Sequence, residues 1–278
     1  MHDFNLYLNY SKQSLLRDME NLTPVISIKN LNKAYDSTLI LKDINLNFYA
    51  GQITGYIGPN GAGKSTTLKI LIGMLGDFTG EVSVLGFDVR TDSMEVKKRI
   101  GYVPENAILY EVLTPMEYLL FIGRLYQLED AIIEKRATEL LTILGLKEVI
   151  NSRMNTFSKG MRQKVLLISG LIHNPEIIFL DEPLSGLDAN AVILVKEILA
   201  KLKEAGKTII YSSHIMDVVE KLSDRIIIIN KGEVVADGTF AELKNNATSG
   251  SLEGIFSNLT GNSQEDQTLS NEFISALS

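Results

Sequence analysis

A chain of 278 residues that is 45% hydrophobic and 22% charged is long enough to bury one or two ordinary cores, which excludes a disordered tail. Its formal net charge of −7 leaves no electrostatic footprint for a phosphate backbone, so nucleic acid is not expected as a principal partner. With no cysteine and only the scattered His2, His173 and His214, disulfides, thiolate catalysis and a zinc site are excluded, and any metal is expected on oxygen ligands.

Residues 1–24 begin MHDFNLYLNYSKQ and lack a basic region followed by an apolar block, so they read as an N-terminal extension of a cytoplasmic protein rather than a secretory signal. From Val25 onward, short β-branched runs alternate with helical segments: VISI, INLNF, ITGYI, VSVLG, RIGYV, IIFLD, TIIYS and RIIII are predicted strands. The order predicts an α/β fold with an antiparallel portion early in the chain. No run approaches the ~18 apolar residues that a membrane-spanning helix requires.

Between ITGYI and a helical pattern lies Gly58-Pro59-Asn60-Gly61-Ala62-Gly63-Lys64-Ser65-Thr66. A strand entering such a glycine-rich turn that opens a helix on Lys-Ser is the P-loop context. There the backbone N–H groups and the helix dipole face phosphate oxygens, and Lys64 adds a full charge to them. Ser65 offers a hydroxyl to Mg²⁺, and Thr66 offers a further hydrogen bond to phosphate. The expected core is therefore that of a P-loop NTPase.

Thr114 to about Leu144 shows apolar residues at helical spacing with Pro115 in the first turn, which predicts a helical subdomain, about 105–170, inserted into that core. His173 follows the next helix in GLIHNP and is assigned to helix termination. EIIFLDEP then ends a strand in Asp181 and Glu182. In P-loop enzymes a carboxylate at such a strand end holds Mg²⁺, and the next acid is placed to align or deprotonate water. The stretch from about Asn258 is polar and weakly periodic, and is expected to be a tail.

The P-loop, Asp-Glu-Pro and Ser185-Gly186-Leu187-Asp188 occur in order with TFSKGMRQK (Thr156–Lys164), and together they resemble the ATP-binding cassette (ABC) ATPases over roughly Val25 to Leu243. The resemblance implies a cassette at 25–243 with accessory segments at 1–24 and 244–278. It also implies two MgATP molecules sandwiched head to tail in a homodimer or paired cassette. Ser158 and Gly160 would meet the γ-phosphate bound to the second cassette, Tyr35 would stack on adenine, and His214 would contact the γ-phosphate and the catalytic carboxylate. Asp188 would couple the two sites.

Three departures stand in the signature turn, with Phe157, Lys159 and Met161 where the family usually has Leu, Gly and Gln. Glu105 stands in YVPE where Gln is usual, and its expected role is metal binding.

PENAILYEVLTPMEYL, FSKGM and LEGIFSNLTG resemble the cassettes of bacterial exporters, which implies an integral membrane permease partner at the cytoplasmic face. The alternative is a soluble cassette acting as an ATP-gated switch in a non-transport complex. A small-molecule kinase or a GTPase would need an acceptor or guanine site, and the sequence offers neither.

Overall fold

All eight apolar runs become strands. In the computed structural model, which describes residues 23–105, 109–245, 247, 249–261 and 276, the strands form two sheets. Nearly all of the expected N-terminal extension and the tail beyond 261, apart from 276, lie outside the described residues.

The first sheet is antiparallel, with β1 (Ile26–Tyr35) between β2 (Thr38–Phe48) and β4 (Thr79–Val84), and β5 (Phe87–Asp88) beyond β4. The second places β3 (Ile53–Ile57) between β9 (Arg225–Asn230) and β8 (Thr208–Ser212), followed by β7 (Ile177–Asp181) and β6 (Ile100–Val103). These five strands run parallel, and β10 (Glu233–Gly238) folds back antiparallel on β9. The sequence reading missed β5, which has two residues, and β10, whose apolar run is only Val234-Val235-Ala236 and none of whose positions is buried.

Parallel strands covered on both faces read as continuous apolar runs. On β7, Ile177 and Phe179 pack toward the antiparallel sheet, while Ile178 and Leu180 join the core under the helices; Ile227 and Ile229 divide from Ile226 and Ile228 on β9 in the same way. The second sheet is thus the middle layer of three.

The helical insertion begins with α3, which follows α1 (Lys64–Leu71) and α2 (Ser93–Arg99). In α3 (Pro115–Leu125), Thr114 and Glu117 form a capping box and Pro115 occupies the first turn, where its missing N–H costs no hydrogen bond. The predicted helical stretch divides at Gln127, whose φ of 60° cannot continue a right-handed helix, and resumes as α4 (Asp130–Ile143). Leu119, Ile133 and Leu141 are fully buried between these helices and α5 (Lys159–Leu171), each stabilising the subdomain by about 1.5–3 kcal/mol. The exposed Arg124–Asp130 pair contributes far less.

After α6 (Ala189–Glu204), α7 (Met216–Leu222) and α8 (Phe240–Asn245) comes α9 (Leu252–Thr260), capped by Ser251 and ended by Gly261 in the left-handed region. The polar stretch expected as tail from Asn258 is therefore helical through Thr260. Leu252 and Ile255 bury one face of α9 in the main core, and a hydrophobicity average over the stretch beyond them does not register that anchorage.

Because neighbouring strands run parallel, their C-terminal ends share one edge of the sheet, where ligands of open α/β folds bind. β3 runs out into Gly58, β7 ends in Asp181 and β8 in Ser212, with Asp181 directly opposite Ser212.

Candidate functional site

At that edge the turn from Gly58 to Gly63 closes onto the sheet. A Cβ at Gly58 would lie 2.2 Å from the Ile229 carbonyl oxygen, so only glycine lets β3 leave the sheet here. Lys64 opens α1, is 9% exposed, and donates from Nζ to the Gly58 and Pro59 carbonyls at 2.6 and 3.2 Å. Burial pushes its ammonium below the ordinary lysine range, and Glu182, Asp181 and Glu105 oppose that shift by attraction.

Asp181 is held from two sides. Ser65 Oγ donates to its Oδ2 at 3.0 Å and Ser212 Oγ to its Oδ1 at 2.5 Å. An ionised carboxylate accepts about four hydrogen bonds, so lone pairs remain for a further partner. Ser212 was not singled out from the sequence. Its signal is the Ser-Ser that separates a buried strand from His214.

Glu182 turns out of β7 at φ 50°, a conformation costly for a residue with a side chain, and its N–H donates to Ser212. Its Oε2 accepts from the His214 backbone N–H at 3.3 Å, and its Oε1 lies 3.2 Å from His214 Nε2. That second approach is an ion-pair contact without hydrogen-bond alignment, so the buried Oε1 has no hydrogen-bond partner. Burial raises the Glu182 pKa, only partly offset by His214. A buried carboxylate oxygen without a donor, on a strained residue, is suited to take a proton.

These groups line a cavity of about 270 Å³ together with Tyr35, Asn60, Gly61, Ala62, Gly63, Thr66, Glu105 and Ile40; only Ile40 went unanticipated. Gly58 and Pro59 act from behind it through Lys64. The oxygen set Ser65, Asp181 and Glu105 suits a hard cation. Among the described residues no cluster of three His, Cys, Asp or Glu side chains could hold a metal alone, and Mg²⁺ characteristically takes few protein ligands beside substrate phosphates.

Ser158, Gly160 and Asp188 do not line this cavity. Ser158 caps α5 by accepting from Met161 N at 3.2 Å, and Asp188 caps α6 by accepting from Ala191 N at 2.9 Å, which holds its carboxyl below the usual range. A Cβ at Gly160 would stand 2.7 Å from the Gly186 carbonyl, so the signature turn packs against the loop that follows Glu182. Lys159 donates to Ser185 Oγ at 3.0 Å, and the buried Gln163 to the Pro183 carbonyl at 3.2 Å.

Residues 41–185 match the model of the ABC transporter family. The chain is 38% identical over 219 residues to the linearmycin resistance ATP-binding protein LnrL of Bacillus subtilis, covering 79% of this chain and 70% of that protein. It is 34% identical over 250 residues to the daunorubicin/doxorubicin resistance ATP-binding protein DrrA of Streptomyces peucetius, covering 90% and 76%. A solved dimeric post-hydrolysis state of the ATP-binding cassette MJ0796 bound to ADP and Pi superposes with a TM-score of 0.72 at 30% identity, covering 77% of this chain and 98% of that one.

The chain therefore belongs to the ABC transporter family, and within it is an ATP-binding, ATP-hydrolysing cassette with a P-loop NTPase fold. Among the described residues no helix is long and apolar enough to cross a membrane.

Proposed function

We propose that this cassette powers an exporter by closing with a second cassette around two MgATP molecules at the cytoplasmic face of a membrane permease. The observation that carries the hydrolytic part is the convergence of Lys64, Ser65, Asp181, Glu182 and His214 on one cavity. Lys64 and the N–H groups opening α1 neutralise charge on the β- and γ-phosphates. Tyr35 stacks on adenine. Ser65 and Asp181, with Glu105 beside them, hold Mg²⁺, which when bound draws charge from the phosphates. Glu182 takes the proton of the attacking water as the bond from the γ-phosphorus to the bridging oxygen breaks, leaving ADP and phosphate. His214 keeps the Glu182 carboxylate in place through its backbone N–H.

Each site is completed by Ser158 and Gly160 of the partner subunit, while Asp188 couples the two. For the permease this cassette offers an apolar groove of about 440 Å³ between the sheet and the helical subdomain, with Met74, Met94 and Leu125 at 59%, 64% and 65% exposure. Exposed apolar surface of this kind supports a protein or membrane partner. The resistance functions in the names of LnrL and DrrA support export.

Glu182→Gln is expected to lower ATP turnover about 10²–10⁴-fold and to trap the ATP-bound dimer. Tagged and extracted from native membranes in mild detergent, it should copurify with a stoichiometric polytopic membrane protein. A soluble partner alone, or only the homodimer, would replace transport with an ATP-gated switch.

A further inference from the structure

Lys33 is 4% exposed on β1, in the row of buried Ile26, Ile28 and Leu31. Lysine is almost never buried this deeply unless it is paired. Its Nζ lies 3.0 Å from Asp77 Oδ2 and 4.6 Å from the ring centroid of Tyr35. Asp77 belongs to the connection between α1 and β4, and its carboxylate is 98% exposed, so as an ion pair alone the contact would count for little. The second partner is the aromatic face, well inside the ~6 Å over which a cation is held by a ring quadrupole.

Tyr35 is 45% exposed and lines the nucleotide cavity, whereas Lys33 does not. The ring therefore carries the Lys33 cation over one face while the residue also borders the cavity. The same ammonium links the end of β1, through Asp77, to the chain leaving the P-loop helix. A ring so held loses less conformational freedom when a base stacks on it.

We propose that Lys33 is a positioning residue for nucleobase recognition: with Asp77 it backs and orients Tyr35, so that it sets affinity for the base and not for the phosphates. This rests on the reading of Tyr35 as the adenine platform.

The test is calorimetric titration of the full chain, with Mg²⁺, using ATP and inorganic tripolyphosphate as separate probes. Lys33→Met should weaken ATP binding about 3–10-fold and leave tripolyphosphate within about two-fold. Asp77→Asn, which keeps the cation but loosens its anchor, should shift the ratio of the two affinities in the same sense by less. A purely structural role for Lys33 would weaken both probes together, and that result, or unchanged ATP binding, overturns the proposal. Should Lys33→Met fail to fold, Asp77→Asn at its solvent-exposed carboxylate carries the test, and a wild-type ratio overturns it. Tyr35→Ala separates the two readings: if it binds ATP as wild type does, the adenine platform itself is wrong, and if it loses affinity while Lys33→Met does not, only Lys33 is misassigned.

Discussion

The cleft at the ends of β3, β7 and β8 and the turn at Ser158–Gly160 are each built from a serine, a glycine and a helix N-terminus, yet their surroundings are opposite. In the cleft Lys64, Asp181 and Glu182 are 9%, 5% and 8% exposed, and a buried oxygen of Glu182 lacks a hydrogen-bond partner. At the turn Ser158 and Lys159 are exposed, and their polar groups are engaged by a local cap and by Ser185. Burial makes unsatisfied polar groups costly, so a site enclosed by one chain shows itself as polar groups awaiting a ligand. The turn, proposed to meet its ligand only across a dimer interface, has no such cost in the single chain and is an ordinary helix cap there.

The sharpest way to break this contrast is Lys64→Ala. Removing the lysine cation of the phosphate-binding turn should cost about 10²–10³-fold in ATP turnover, measured as steady-state phosphate release. Near-normal turnover would mean that the cleft is not where ATP reacts. A smaller effect is expected from Ser158→Ala, which should cost about 0.5–2 kcal/mol of stability in urea denaturation through loss of the α5 cap. It should leave ATP affinity of the isolated monomer unchanged and weaken the nucleotide-trapped dimer. If monomer affinity falls instead, the turn serves its own chain's nucleotide and the contrast collapses.

The smallest effect concerns the joint between the helical subdomain and the core. His173 is half-buried, stacked on Tyr126 with ring centroids 3.6 Å apart, and its Nε2 is 2.9 Å from the Ile100 carbonyl. That pairing fixes the proton on Nε2 and leaves the buried Nδ1 without a partner. Burial lowers the His173 pKa, with Lys207 and Arg136 adding repulsion and the Ile100 carbonyl opposing. A histidine depressed in the folded state loses stability as pH falls through its ordinary value of about 6.5, because the unfolded chain takes up the proton first. The melting temperature of the wild type should therefore drop further between pH 7.5 and 5.5 than that of His173→Gln. Equal slopes would remove His173 from the joint. Assigning it to helix termination alone missed this, because Tyr126 and Ile100 reach it only through the packing of α3 and β6.

Much of the cleft was legible in the chain because each part is local. Glycine spacing dictates the backbone path of Gly58–Gly63, a helix must open at Lys64, and an apolar run ending in Asp181-Glu182 must leave its acids at a sheet edge. Tyr35, His214 and Glu105 had only a family resemblance to identify them, and the fold brings all three to the cavity. Ser212 and Ile40 were not legible, since a serine beside a strand end and an isoleucine within a strand have many ordinary uses.

By itself, then, the sequence determined the alternating α/β order, the phosphate-binding turn and the acidic strand end, since periodicity and turn chemistry act over a few neighbouring residues. Only the tertiary structure decided that Ser212 grips Asp181, that Gly160 lies on the Gly186 backbone and that Lys33 meets Asp77. Each of those depends on which strands lie side by side or how closely two backbones approach, and pairing of that kind is set by the burial of the whole sheet between two layers rather than by any one segment.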